Sequence, residues 1–127
     1  MQTKKKKNRP LSPHITIYRP QFTSVTSILT RITGNSLLVG SLIFVFWFIS
    51  VAMGENYFNK VSPYINSGFV DFIMFLSIWA FWYHFLAGLR HLYWDTGRGL
   101  ELYEAKILAY IVVVGSFCLS AFTALII

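Results

Sequence analysis

The sequence predicts an all-α membrane protein of three transmembrane helices, entered through a basic, extended N-terminal arm. Three observations carry that prediction. Charged residues make up only 13% of the 127 residues, and hydrophobic ones 55%, whereas a soluble domain averages about 25% charged. The apolar stretches fall in three long runs, 34–53, 69–92 and 107–127, each close to the roughly 20 helical residues that cross a bilayer. Finally, seven of the 11 basic residues (Lys4, Lys5, Lys6, Lys7, Arg9, Arg19 and Arg31) precede the first run with no acid among them. A net charge of +6 gathered at one end is a topology signal. It is not the spread basic surface of a nucleic-acid binder, so nucleic acid is excluded as a partner and membrane lipid is expected.

The arm, residues 1–21, holds Pro10, Pro13 and Pro20, which exclude regular helix, and its lysines repel one another. They suit anionic lipid headgroups. Polar residues come directly after the basic stretch, so it does not read as a signal peptide. Helix I is expected over about 27–53, with Ser24 or Thr26 available as a cap and Gly54, Glu55 and Asn56 closing it. Residues 54–68, with Pro63, read as a connecting loop. Helix II is expected over about 69–93, with Asp71 suited to the positive helix end, and it breaks at Asp95, Thr96, Gly97 and Gly99. Helix III is expected over about 107–127. Its Gly115, Ser116, Ser120 and Ala121 either admit another helix closely or face lipid. The single Cys118 makes no internal disulfide. The whole chain reads as one membrane-anchor domain with the arm on the cytoplasmic or matrix side. Loop 54–68 then lies opposite and 90–106 back on the first side, where Arg31 and Asp95 meet.

Three groups of residues carry chemistry. On helix II, Ser77, His84, Gly88, His91 and Asp95 share one stripe. His84 lies roughly 15 Å from the helix exit at ~1.5 Å per residue. An imidazole at that depth needs a polar partner, an ion or a metal. Interhelical hydrogen bonding and iron ligation both satisfy it, and histidine is a common haem ligand. Gly88, one turn on, leaves a notch where a flat group can approach. His14 lies in the arm and His91 two turns along the same helix, so neither reaches the opposite face of a haem held by His84. A second polypeptide would have to supply the other ligand. On helix I, Ser27 and Arg31 are spaced i, i+4. A hydroxyl beside a guanidinium can hydrogen-bond a quinone carbonyl and stabilise negative charge on the ring. Arg31 can equally snorkel to headgroups. Asp95 offers a salt bridge to Arg31, a proton route, or simply a helix stop.

The segments RPLSPHITIYRP (9–20), SILTRITG (27–34) and HFLAGLRHLYWDTG (84–97) resemble the cytochrome b556 membrane-anchor subunits of succinate dehydrogenase, respiratory complex II. The resemblance covers the arm and all three helices in order. It implies one of two small anchors that hold a flavoprotein and an iron–sulfur subunit at the membrane. Electrons from succinate pass to ubiquinone, and one haem b is shared between the anchors. By motif position His84 is an axial haem ligand with its counterpart on the second anchor subunit. Ser27 and Arg31 match the quinone-site pair, Asp95 lies near that site, and His91 belongs to the haem surroundings. The family pattern has His-Arg where this chain has Thr30-Arg31, so an imidazole beside the haem propionate is missing. The location implied is the bacterial or mitochondrial inner membrane. The chain has no flavin or nucleotide motif and no cysteine cluster, so it is not expected to be catalytic alone. A competing reading is a haem-free structural anchor or assembly subunit, which leaves His84 and the Ser27–Arg31 pair unexplained. A transporter is poorly supported, since there is no internal repeat and only one ionisable group deep in a span.

Overall fold

A computed structural model describes residues 17–126; of the basic arm expected over 1–21, residues 1–16, His14 among them, lie outside the described residues. Residues 18–21 have no regular structure, and Gln21 is extended. Helix α1 then runs Phe22–Ala52, 31 residues. It starts earlier than hydropathy suggests because its first turns are polar and only the later ones are apolar enough to register. Gly54, with φ 93°, adopts a left-handed conformation that glycine tolerates best, and the chain turns there.

The loop expected over 54–68 is mostly helical. Helix α2, Glu55–Ile65, carries Glu55 in its first turn and Pro63 near its end. Glu55 suits the positive helix terminus, and a proline so close to the C-terminus leaves few helical hydrogen bonds to disturb. Phe58, Val61 and Ile65 share one side and are half-buried, whereas Tyr57 and Tyr64 are exposed. The helix is amphipathic and packs on α1.

Helix α3, Gly68–Asp95, and helix α4, Leu102–Ile126, complete the chain. A turn containing Gly97 (φ 76°) and Gly99 (φ 72°) joins them. Helices α1, α3 and α4 are each long and apolar enough to cross a membrane. Helix α3 packs extensively on both others, while α1 and α4 meet less.

The interior consists of small and hydroxylated residues. Thr26, Thr33, Ser50, Ala80, Ala87, Ala109, Ser116 and Ser120 are buried, with Tyr83 as the largest enclosed side chain. Phe44, Phe48, Phe72, Phe122 and most other large apolar residues face outward. Without a hydrophobic force between helices in lipid, small residues let backbones approach and dispersion does the rest. Ser116 and Ser120 thus face the bundle, not lipid. Gly40 shows how close the approach is: a Cβ there would lie 2.6 Å from Ser77 Oγ. Helix α4 is tied to α3 by Trp82, whose indole N–H donates to Thr123 Oγ1 at 2.9 Å. It is tied to α1 by the Phe22–Tyr110 ring stack at 4.4 Å.

Candidate functional site

Helices α1 and α3 run antiparallel, and their contacts set a definite register. Thr26 meets Tyr83 and Arg90, Thr30 and Gly34 meet His84, and Gly40 meets Ser77. His84 therefore sits within the α1–α3 seam. Its Nδ1 lies 3.0 Å from the Thr30 carbonyl oxygen. A carbonyl only accepts, so Nδ1 carries the proton and donates. In a neutral imidazole that leaves Nε2 with its lone pair, and Nε2 has no hydrogen-bond partner among the described residues. Gly34 makes the seat possible: a Cβ there would come 2.9 Å from His84 Cε1.

This is the arrangement a metal-binding histidine takes. One ring nitrogen is fixed by a backbone carbonyl, which sets the tautomer and orientation, while the other is left to ligate. Both interpretations open from the sequence, interhelical hydrogen bond and ligation, are compatible on a single ring. Gly88, one turn further, has nothing within 4 Å of where a Cβ would stand, so the flank of α3 beside His84 is open. The residues present fit a haem. Among the described residues no group of three or more His, Cys, Asp or Glu could hold a metal ion by itself.

The other stripe residues separate. Ser77 donates to its own helix, at the Ile73 carbonyl, 2.8 Å away. His91 is exposed, with Nδ1 donating to the Ala87 carbonyl at 2.8 Å and its ring edge-on to Trp94. It does not approach the His84 ring. Asp95 is exposed at the end of α3. Of the roles open to Asp95, the salt bridge to Arg31 does not form: no ion pair joins them among the described residues. The register explains it. Arg31 lies beside the Thr30 and Gly34 positions that touch His84, whereas Asp95 is eleven residues past His84, ~16 Å along the axis. Arg31 is exposed and Ser27 half-buried. Thr26, Thr30, Thr33 and Ser36 all donate to carbonyls of α1. The Ser27 hydroxyl makes no side-chain hydrogen bond among the described residues.

Sequence reasoning misses a set of site neighbours, Thr26, Tyr83 and Arg90. Tyr83, fully enclosed, donates its hydroxyl to the Thr26 carbonyl at 2.9 Å. Arg90, 4% exposed, donates from Nη1 to Thr26 Oγ1 at 3.2 Å and stacks its guanidinium 4.8 Å from the Trp94 ring. Arg90 reads from sequence as a charged exit from the membrane. The available signal was the spacing of Tyr83, Ala87 and Arg90, a stripe beside that of His84 with a small residue at its centre.

Residues 5–123 match the family described as succinate dehydrogenase/fumarate reductase transmembrane subunit. The chain belongs to that family. It is 39% identical over 119 residues to the succinate dehydrogenase cytochrome b556 subunit of Paracoccus denitrificans, covering 94% of this chain and 92% of that one. The cytochrome b556 subunit of Rickettsia conorii is 38% identical over 112 residues, with 88% and 87% covered. The succinate dehydrogenase cytochrome b560 subunit of Reclinomonas americana is 37% identical over 111 residues, covering 84% and 77%. Membership in a transmembrane-subunit family agrees with the three apolar helices, and the chain is a multi-pass membrane protein.

Proposed function

We propose that the chain is the haem b-binding membrane anchor of a succinate dehydrogenase in a bacterial or mitochondrial inner membrane. It would hold the flavoprotein and iron–sulfur subunits at the bilayer and contribute to the ubiquinone-reduction site. The observation that carries this reading is the His84 seat: Nδ1–H fixed on the Thr30 carbonyl and Nε2 left for iron. A second anchor subunit would supply the other protein ligand. When bound, haem b supplies a one-electron store near the quinone. Thr30 replaces the family's histidine, yet it orients His84 through its backbone, which any residue at that position provides.

Ser27 and Arg31 act on the quinone. Their shared side of α1 is the side on which Gly34 meets His84. The Ser27 hydroxyl is uncommitted within the described residues, and Arg31 extends outward. Together they offer a donor to one ring carbonyl and a fixed positive charge for the electron density that arrives there. The gathering of basic residues ahead of the first apolar run supports a cytoplasmic or matrix side for this end of the bundle. Asp95, farther toward that surface, can pass protons between water and the site without touching Arg31.

The test is Ser27→Ala and Arg31→Leu in the assembled complex. A lost hydrogen bond to a charged or partly charged group weakens binding or rate by roughly ten- to a hundredfold. Ubiquinone reduction falls by that order, while succinate-dependent reduction of an artificial dye, served by the soluble subunits, persists. Arg31→Lys recovers only part, since the ammonium lacks the guanidinium fork. Normal quinone reduction in both variants overturns the site, and joint loss of both activities with subunit loss makes the residues structural.

A further inference from the structure

We propose that Thr26, Tyr83 and Arg90 form a buried clamp that positions the Ser27–Arg31 stretch of α1 against His84 on α3. The proposal rests on the quinone reading and adds residues that reading does not use.

Arg90 is the starting point. A guanidinium enclosed in a membrane helix is expensive, and among the described residues its Nε is buried with no hydrogen-bond partner and no carboxylate pairs with it. The acidic residues are Glu55, Asp71, Asp95, Glu101 and Glu104, and none forms an ion pair with Arg90. Residues 1–16 contain no Asp or Glu. Stability alone would favour an apolar side chain at this position. What the guanidinium does touch is specific: the Thr26 hydroxyl on one side and the Trp94 ring on the other. Trp94 is itself held, its indole N–H donating to the Gly99 carbonyl at 2.9 Å. The cation is therefore braced from the α3–α4 turn and aimed at α1.

Tyr83 reaches the same residue by a different atom, the Thr26 carbonyl. Two arms from α3 thus grip one residue, and that residue precedes Ser27 directly. One turn later the Thr30 carbonyl takes the His84 Nδ1–H. Contacts at 26 and 30 fix both the rotation and the height of α1 on α3. Neighbouring residues of a helix are ~100° apart around its axis, so a slip of one residue would turn Ser27 and Arg31 away from the His84 side. The clamp prevents that slip.

The two arms can be cut separately. Thr26→Val removes the acceptor of Arg90 and keeps the carbonyl for Tyr83; Tyr83→Phe does the reverse. Neither introduces bulk, so both complexes are expected to assemble with normal dye reduction. In each, the KM for a short-chain ubiquinone rises roughly two- to tenfold while kcat changes less, since the lost bond acts on the quinone only through the placing of Ser27 and Arg31 and both of those side chains remain. The double variant combines both increases. Amide hydrogen exchange in the purified complex should quicken over residues 22–33 and stay unchanged in α4. If exchange over 22–33 is unaltered in both variants, no clamp exists. Faster exchange with an unchanged KM, while Ser27→Ala and Arg31→Leu remain impaired, makes the contacts merely structural and overturns the positioning role. If Ser27→Ala and Arg31→Leu are themselves normal, the quinone reading has failed and the positioning role falls with it.

Discussion

The His84 ring has one nitrogen committed and one free, and a glycine in front of its edge. Each feature can be altered by a single substitution. His84→Leu in the assembled complex removes the free nitrogen, so the b-type absorption bands weaken or shift and the midpoint potential moves. The second anchor's ligand can still retain the haem, so the spectrum is the decisive measurement and haem content is not. Gly34→Ala leaves both nitrogens in place but puts a methyl 2.9 Å from Cε1. Overpacking of this kind costs about 1–3 kcal/mol, and here the ring must tilt off the Thr30 carbonyl to relieve it. The expected result is a perturbed haem spectrum in a complex of otherwise normal composition. An unchanged spectrum in both variants would mean that His84 is only an interhelical hydrogen-bond donor. His84 stood out in the sequence because an ionisable group deep in an apolar run is conspicuous. Arg90 did not, since at a helix end it looks like an ordinary interface anchor, nor did Tyr83, an aromatic among other apolar residues; only the pairing of α1 with α3 encloses them.

At the level of helices, the α1–α3 seam depends on two glycines of α1, and Gly40 isolates the packing contribution from the chemistry. Gly40→Ala would place a methyl 2.6 Å from Ser77 Oγ and 2.7 Å from its Cβ. The Cβ cannot rotate away, so the helices must part, at about 1–3 kcal/mol. The complex should dissociate at lower temperature or detergent concentration, and Ser77→Gly should restore much of the loss. Gly88→Ala is the control, since none of the described residues lies within 4 Å of a Cβ there; any effect reports a neighbour beyond those residues. The three long spans were legible because hydropathy accumulates over 20 residues. Helix α2 was not, because in eleven residues its five apolar positions are interleaved with Asn56, Asn59, Ser62 and Pro63, which read as turn formers. The starts of α1 and α4 were late for a related reason: polar first turns belong to the helix without adding to its hydropathy.

Across the whole molecule, the described residues present one histidine suited to iron, His84, with His91 bonded to its own helix. Expressed alone in membranes, the chain should not form a stoichiometric six-coordinate low-spin haem, and co-expression with the second anchor should restore one. A six-coordinate spectrum from the chain alone would refute the shared site. The distribution of side chains has a separate consequence. Because the enclosed positions, apart from Tyr83, Arg90 and Val112, are glycine, alanine, serine and threonine while phenylalanines and leucines look outward, mutational tolerance runs opposite to that of a water-soluble protein. At Phe48, Phe72 or Phe122, exchange among large apolar residues should pass unnoticed unless a partner subunit sits there. At Ala80, Ala87 or Ala109, even one added methyl group should be felt. A saturation library selected for growth on succinate should therefore show its narrowest allowed sets at the smallest residues, so that the most constrained positions of this chain are the ones with least side chain to recognise.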